Sequence, residues 1–202
     1  MKLKICALFC FIIALNACQD VADNGVKAEF PNVLLYPTAK EIQPFVLKDE
    51  EAALFDNSAL AGKWTLFFLG YTFCPDICPT TLADLNRVYP QLTKVNPNVQ
   101  VVLISADPQR DTHSRLKQYI EFFNADFKAV TGPHPDLLPF TRNLGLVYAM
   151  HGEGDNYLVN HSAALVLVDP NTRIRAMIKP DFTSQPPSIN FQQIAEVLTY
   201  LQ

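Results

Sequence analysis

Apolar positions along the chain predict buried strands that alternate with amphipathic helices. Residues 64–71 and 99–105 are almost continuously apolar, as expected of central strands covered on both faces. Residues 163–169 form a third run of the same kind. Between the first two runs, apolar residues recur at the four- and three-residue spacings of a helix face: Cys78, Leu82, Leu85, Val88 and Leu92.

The remaining segments complete the alternation. Asp111 or Thr112 can cap a helix that runs to Phe123. Other predicted elements are, in chain order, a short hairpin or irregular strands at 45–56, a strand at 127–130, a helix at 135–144, a hairpin or flexible loop at 147–159, an edge strand at 173–178 and a closing helix at 189–201.

The order of these elements predicts the fold class. Strand, helix, strand, helix, an insert, then strand, strand and helix is the thioredoxin-like order, and its first crossover requires a parallel strand pair. We therefore expect an α/β domain over residues 45–202, with a central mixed sheet flanked by helices. An N-terminal extension precedes this domain, and the insert comes before the last hairpin.

The first residues predict a targeting segment. Lys2 and Lys4 precede an apolar stretch at 5–15 that is too short to span a bilayer comfortably. Leu-Asn-Ala-Cys at 15–18 resembles a bacterial lipobox, which predicts a signal peptide at 1–17, lipid on Cys18 and a polar tether over 18–44. The alternative is an ordinary signal peptide with Cys18 as a stray thiol. The lipoprotein would be anchored in the bacterial envelope and face the periplasm, on the inner or the outer membrane.

Loss of the signal peptide changes the charge and the cysteine count. The formal net charge of −4 becomes −6, because two lysines leave with it. A mildly acidic chain without a basic block is not expected to bind nucleic acid, and we expect one monomeric domain. Cys6 and Cys10 are removed and Cys18 carries lipid, so Cys74 and Cys78 are the thiols left in an oxidising compartment.

Cys74 and Cys78 come where an apolar strand ends and an amphipathic helix begins. A thiol close to a helix N-terminus is easily made a thiolate. Four residues along a helix rise about 6 Å, which a disulfide can span and which also places both sulfurs on one face. The pair therefore predicts a redox dithiol or a soft-metal site, and two inert buried thiols are the plainer alternative.

His161 is the histidine that the predicted topology brings towards the thiols, because it immediately precedes the third core strand. Two thiolates and an imidazole suit copper, as Cu(I) or Cu(II), whereas zinc would require a fourth ligand or a water. We expect His113 and residues 50–51 to be solvated, and His134 and His151 to lie in a turn and in the insert.

Three motifs, taken together, resemble a known family. They are Tyr-Thr-Phe-Cys-Pro-Asp-Ile-Cys-Pro at 71–79, Ser-Ala-Asp-Pro-Gln-Arg-Asp-Thr at 105–112 and His-Ser at 161–162. In this order they resemble the SCO/SenC family of copper-binding, thioredoxin-like proteins, and the resemblance extends over about residues 45–201.

The resemblance implies a ligand set and a partner. Cys74, Cys78 and His161 would bind copper, and an Asp107–Arg110 ion pair would support the loop beside the cysteines. The protein would be a metallochaperone that contributes to assembly of the dinuclear copper site of cytochrome c oxidase. Its partner would be the subunit that holds this site, or another copper or thiol protein. A membrane-anchored thiol–disulfide oxidoreductase that uses the same cysteines is the alternative, so enzymatic activity stays open.

One residue departs from the family pattern, and another bears on which membrane would hold the protein. Asn160 stands where the family usually has an acidic residue, which predicts weaker orientation of His161 or weaker binding of Cu(II). Gln19 stands where inner-membrane lipoproteins often carry aspartate. Default sorting would then favour the outer membrane, although an oxidase subunit lies in the inner membrane.

Overall fold

The continuous apolar runs form the centre of an eight-stranded mixed sheet. β4 (Trp64–Gly70) and β5 (Val99–Ser105) are buried along their full length and pair in parallel. β9 (Leu165–Val168) is also buried and lies antiparallel on the other side of β4. The computed structural model describes residues 30–152 and 154–202.

Shorter strands extend the sheet on both sides. They are β1 (Val33–Glu41), β2 (Val46–Asp49), β3 (Leu54–Asp56), β6 (Lys128–Thr131) and β10 (Arg173–Ile178). The strand order is β1-β10-β9-β4-β5-β6-β2-β3. β4, β5 and β6 are parallel, and the other neighbours are antiparallel. β7 (Tyr148–His151) and β8 (Leu158–His161) form a separate hairpin, which is the predicted insert.

Four helices accompany the sheet in the described residues. They are α1 (Ile77–Val95), α2 (His113–Phe123), α3 (His134–Asn143) and α4 (Gln192–Leu201). The predicted apolar face of α1 is buried, and α1 packs against α2 and α4. None of the helices in the described residues is long and apolar enough to cross a membrane. The predicted thioredoxin-like architecture is therefore confirmed.

The predicted tether is wrong over β1. This strand pairs with β10, so β10 is an internal strand and not the predicted edge. The hydrophobic pattern did not reveal β1 because an edge strand needs few buried side chains, and only Val33 is fully buried among its nine residues. Residues 1–29, which include the predicted signal peptide, Cys18 and the first part of the predicted tether, lie outside the described residues.

Two groups that were expected to be solvated are engaged in packing. The Glu50 carboxylate is buried and accepts hydrogen bonds from Lys128 Nζ at 2.7 Å and Ala129 N at 2.9 Å. His113 Nδ1 lies 2.7 Å from the carbonyl oxygen of Asp49. The predictions failed for Glu50 and His113 because the β2–β3 turn lies beside β6 and α2, a contact between distant segments, whereas Glu51 is exposed as expected.

Candidate metal centre

The two cysteines lie on different local structures. β4 ends at Gly70, α1 begins at Ile77, and Cys74 lies in the turn between them. The expectation that both cysteines share a helix face is therefore wrong, because the helix begins only one residue before Cys78. Cys78 has no exposed surface, whereas Cys74 is half-buried.

The β7–β8 hairpin brings His161 to the thiols. His161 is the last residue of β8, and its Nε2 atom lies 3.4 Å from Cys78 Sγ. The ligating atoms of Cys74, Cys78 and His161 all lie within 4.8 Å of one another. The convergence predicted from strand order is thus present, although His161 is 83 positions away from Cys78 along the chain.

A backbone carbonyl orients the His161 ring. Nδ1 lies 3.1 Å from the carbonyl oxygen of Ser162, which can only accept, so we place the ring proton on Nδ1. Nε2 is then left with a lone pair facing the sulfurs, the usual arrangement of a metal-binding histidine. The rings of Phe68 and Tyr71 meet the imidazole edge to face, with centroids 6.1 and 6.0 Å away.

Asn160 plays no part in this orientation. Its side chain is exposed, and because successive residues of a strand point to opposite faces, it lies on the other face of β8 from His161. The predicted weakening of His161 orientation is therefore not supported by the positions of these two side chains.

The two thiols have opposite electrostatic environments. A hydrogen bond from Cys78 is the main cause that lowers the pKa of Cys74 to about 4, and the backbone amides of Asp76 and Cys78 contribute further, whereas burial opposes the shift. The hydrogen bond to the Cys74 sulfur and burial raise the pKa of Cys78. The metal-free pair therefore carries one thiolate and one thiol, and a metal that binds both sulfurs must release the Cys78 proton.

The Asp107–Arg110 ion pair is present and connects the hairpin to the loop between β4 and α1 (residues 71–76), which we call the thiol loop. Asp107 is fully buried, and its carboxylate lies 2.5 Å from Arg110 Nε. Arg110 also donates to the carbonyl oxygen of Tyr157 at 2.9 Å, and its guanidinium lies 3.6 Å from the centre of that ring. The guanidinium also lies 4.8 Å from the ring centre of Phe73, the residue before Cys74.

Sequence reasoning missed three residues that shape the site. Tyr157 donates its hydroxyl to Asp107, but its place in the variable insert carried no signal. The sequence indicates Asp111 as a candidate helix cap and as part of the 105–112 motif, with no sign of a contact to the cysteines, whereas Thr112 is the cap of α2. Gly70 lies against Cys78, and a Cβ at this position would be 2.8 Å from the sulfur. A glycine closing an apolar run just before a reactive cysteine was the available signal for the last of these.

The other histidines do not join the site. His134 is the first residue of α3 and its Nδ1 lies 2.8 Å from the Tyr148 hydroxyl, while His151 is exposed on β7. Over residues 30–152 and 154–202, the histidines, cysteines and carboxylates close enough to hold one ion are Cys74, Cys78 and His161. Two sulfurs and one imidazole nitrogen fit a soft ion of low coordination number, whereas a structural zinc site would need a fourth protein ligand.

Comparisons with known proteins agree with the fold and identify the family. A family model described as SCO1/SenC matches residues 35–198. A putative copper-binding protein of Stutzerimonas stutzeri is 38% identical over 181 residues, which cover 88% of this chain and 86% of that protein. An SCO2-like protein of Rickettsia conorii is 35% identical over 130 residues, 63% of each chain.

Solved structures provide the same comparison in three dimensions. ScoI of Arabidopsis thaliana with copper bound has a TM-score of 0.70 and 26% identity, covering 78% of this chain and 95% of that one. Yeast Sco1 with copper bound has a TM-score of 0.63 and 27% identity, covering 69% and 80%. With the family model matched over most of the domain, the chain belongs to the SCO1/SenC family.

Proposed function

We propose that this domain binds one copper ion through Cys74, Cys78 and His161 and delivers it to a partner protein. The observation that carries the proposal is the convergence of three soft donor atoms within 4.8 Å. The similarity to solved Sco proteins that contain copper supports the choice of metal.

The residues around the ligands would have distinct tasks. The Ser162 carbonyl holds the imidazole with Nε2 towards the sulfurs, and Cys78 gives up its proton when the ion enters. Cys78 is fully buried and Cys74 is half-buried, so a partner would approach from the Cys74 side. Bound copper would be the cargo of the protein, and three soft ligands leave a coordination position through which a partner ligand can take it.

The destination of the copper is the finer part of the proposal. We infer that the recipient is the subunit of cytochrome c oxidase that holds the dinuclear copper site, on the basis of the family resemblance. We also propose lipidation of Cys18 and a location on the periplasmic side of a bacterial membrane, supported by the lipobox-like sequence. Labelling cells with a radioactive fatty acid should mark the wild-type protein, and Cys18→Ser should abolish the label.

An anaerobic copper titration of the reduced domain tests the core of the proposal. We expect one Cu(I) per chain, and a much weaker complex for Cys74→Ser, Cys78→Ser and His161→Ala. His113→Ala is a matched control, because this histidine contacts the Asp49 carbonyl and not the thiols. No copper uptake by the reduced wild-type domain would refute the proposal.

The asymmetry of the cysteines supports a second function, thiol–disulfide exchange. A half-buried thiolate at Cys74 is suited to attack a partner disulfide, and the protonated, buried Cys78 is suited to resolve the mixed disulfide afterwards. Copper binding requires both reduced sulfurs, so the two functions would exclude each other at any moment. Cys78→Ser should trap a mixed disulfide in cells and Cys74→Ser should not. Equal trapping by both variants, or by neither, would contradict this function.

A further inference from the structure

Asp111 is a buried carboxylate that contacts the thiol loop. It lies just before α2, and only 1% of its surface is exposed. Its Oδ2 atom accepts hydrogen bonds from Thr72 N at 3.0 Å and from Ser105 Oγ at 2.5 Å. Its Oδ1 atom accepts from Thr72 Oγ1 at 2.5 Å. The Asp111 carboxylate therefore accepts three hydrogen bonds.

These donors belong to the ends of two central strands. Ser105 is the last residue of β5, and Thr72 lies two residues beyond β4 and two residues before Cys74. The Cys74 amide in turn donates to the carbonyl oxygen of Tyr71 at 3.3 Å. Asp111 thus fastens the start of the thiol loop to the rigid core of the sheet.

The charge of Asp111 is balanced mainly by these donors. In the described part of the chain, no ion pair to Asp111 is formed. Arg115 reaches it indirectly, because its Nε donates to Thr72 Oγ1 at 2.7 Å. A buried carboxylate held by hydrogen-bond donors forms stronger bonds than a neutral acceptor would. An amide in its place has one accepting oxygen instead of two, so at least one of the three donors would lose its acceptor.

We propose that Asp111 is a positioning residue of the metal centre, which acts through Thr72 to hold Cys74 at the distance that Cys78 and His161 require. Of the three ligands, Cys74 alone lies in a turn, since Cys78 belongs to a helix and His161 to a strand. Its position therefore depends most on contacts from outside its own element, here the hydrogen bonds between Asp111 and Thr72, which we call the clamp. The role in copper binding rests on the function proposed above.

Two pairs of variants test the role. Thr72→Val removes the hydroxyl and keeps the shape, whereas Thr72→Ser keeps the hydroxyl and should restore the clamp. Asp111→Asn weakens the same clamp from the other side. Its matched control is Asp169→Asn, because Asp169 is also buried, at 2% exposure, and accepts from the amides of Asn171 and Arg173. Asp169 follows β9 at the opposite end of β4 from the thiols.

The main readout is the Cu(I) affinity of the reduced protein, measured by competition with a chromophoric chelator, next to the thermal midpoint of the metal-free protein. We expect Asp111→Asn and Thr72→Val to bind copper about 10- to 100-fold more weakly, as is usual for residues that orient metal ligands. Thr72→Ser and Asp169→Asn should stay within about threefold of wild type, even where Asp169→Asn lowers the midpoint as much as Asp111→Asn.

The proposal is overturned if Asp111→Asn and Thr72→Val retain wild-type affinity, or if Asp169→Asn loses as much as Asp111→Asn. If Asp111→Asn does not fold, the copper affinities of Thr72→Val and Thr72→Ser test the proposal without it. Absence of copper binding by the wild type would refute the proposed function instead. Hydrogen exchange of the Thr72 and Cys74 amides then tests the clamp alone. Exchange that is faster in Asp111→Asn than in Asp169→Asn supports it, and equal rates refute it.

Discussion

Gly70→Ala should disturb the metal centre by pressing on a single sulfur atom. Gly70 closes β4, and a Cβ there would lie 2.8 Å from Cys78 Sγ and 3.2 Å from both Leu103 Cδ1 and Phe68 Cε1. These three side chains are fully buried. Gly70 does not have a positive φ angle, so alanine fits its backbone and the effect is steric.

The size of the effect follows from the contact distance. Non-bonded heavy atoms rest at about 3.5 Å or more, so Cys78 Sγ would have to move by about 0.7 Å. Functional sites tolerate displacements of about 0.5 Å, and we therefore expect at least about tenfold weaker copper binding, which corresponds to about 1.4 kcal/mol. Overpacking of the core should also lower the free energy of unfolding by about 1–3 kcal/mol.

Gly132→Ala separates the two effects. Its Cβ would lie 2.8 Å from Leu47 Cδ2, the flexible end of a side chain on the far side of β6 from β5. Copper affinity by chelator competition and unfolding by urea are measured for both variants. Gly132→Ala should keep its copper affinity, and it should lose less stability than Gly70→Ala because the end of the Leu47 side chain can move. The reasoning fails if Gly70→Ala binds copper within twofold of wild type, or if Gly132→Ala loses as much affinity.

Three further predictions address the thiols, the β2–β3 turn and the hairpin. The pKa of Cys74 is lowered from 9.0 to about 4, so Cys74 stays a thiolate at any pH above about 4. Its alkylation by iodoacetamide should therefore slow only as the pH falls through about 4. Cys78→Ala should move the midpoint of this pH dependence upward. An unchanged midpoint would contradict the hydrogen bond from Cys78. Glu50→Gln should lower the urea-derived free energy of unfolding by about 1.5–3 kcal/mol and leave copper affinity unaltered, since it weakens charge-assisted bonds remote from the thiols. Tyr148→Phe removes the hydrogen bond to His134 and should lower the urea-derived free energy of unfolding by about 0.5–1.5 kcal/mol. A variant as stable as wild type would show that this bond does not stabilise the hairpin.

The elements that could be predicted are those whose side chains alone identify them. β4 and β5 are covered on both faces, so nearly all of their positions are apolar, and α1 buries one regular stripe. β1 could not be predicted, because an edge strand is stabilised mainly by backbone hydrogen bonds to β10 and most of its side chains are exposed. Glu50 was misjudged for a related reason, since its burial depends on a lysine 78 positions away.

The sequence by itself determined the order of the core elements, the two thiols at the end of the first central strand and the histidine before the third, because hydrophobic periodicity and motif spacing are local properties. Only the tertiary structure decided that Cys74 lies in a turn while Cys78 is buried in a helix, and that the Ser162 carbonyl turns Nε2 of His161 towards the sulfurs. It also decided that Asp111 fastens the thiol loop. These features arise where segments distant in sequence pack together, and their geometry depends on contacts that no single segment contains.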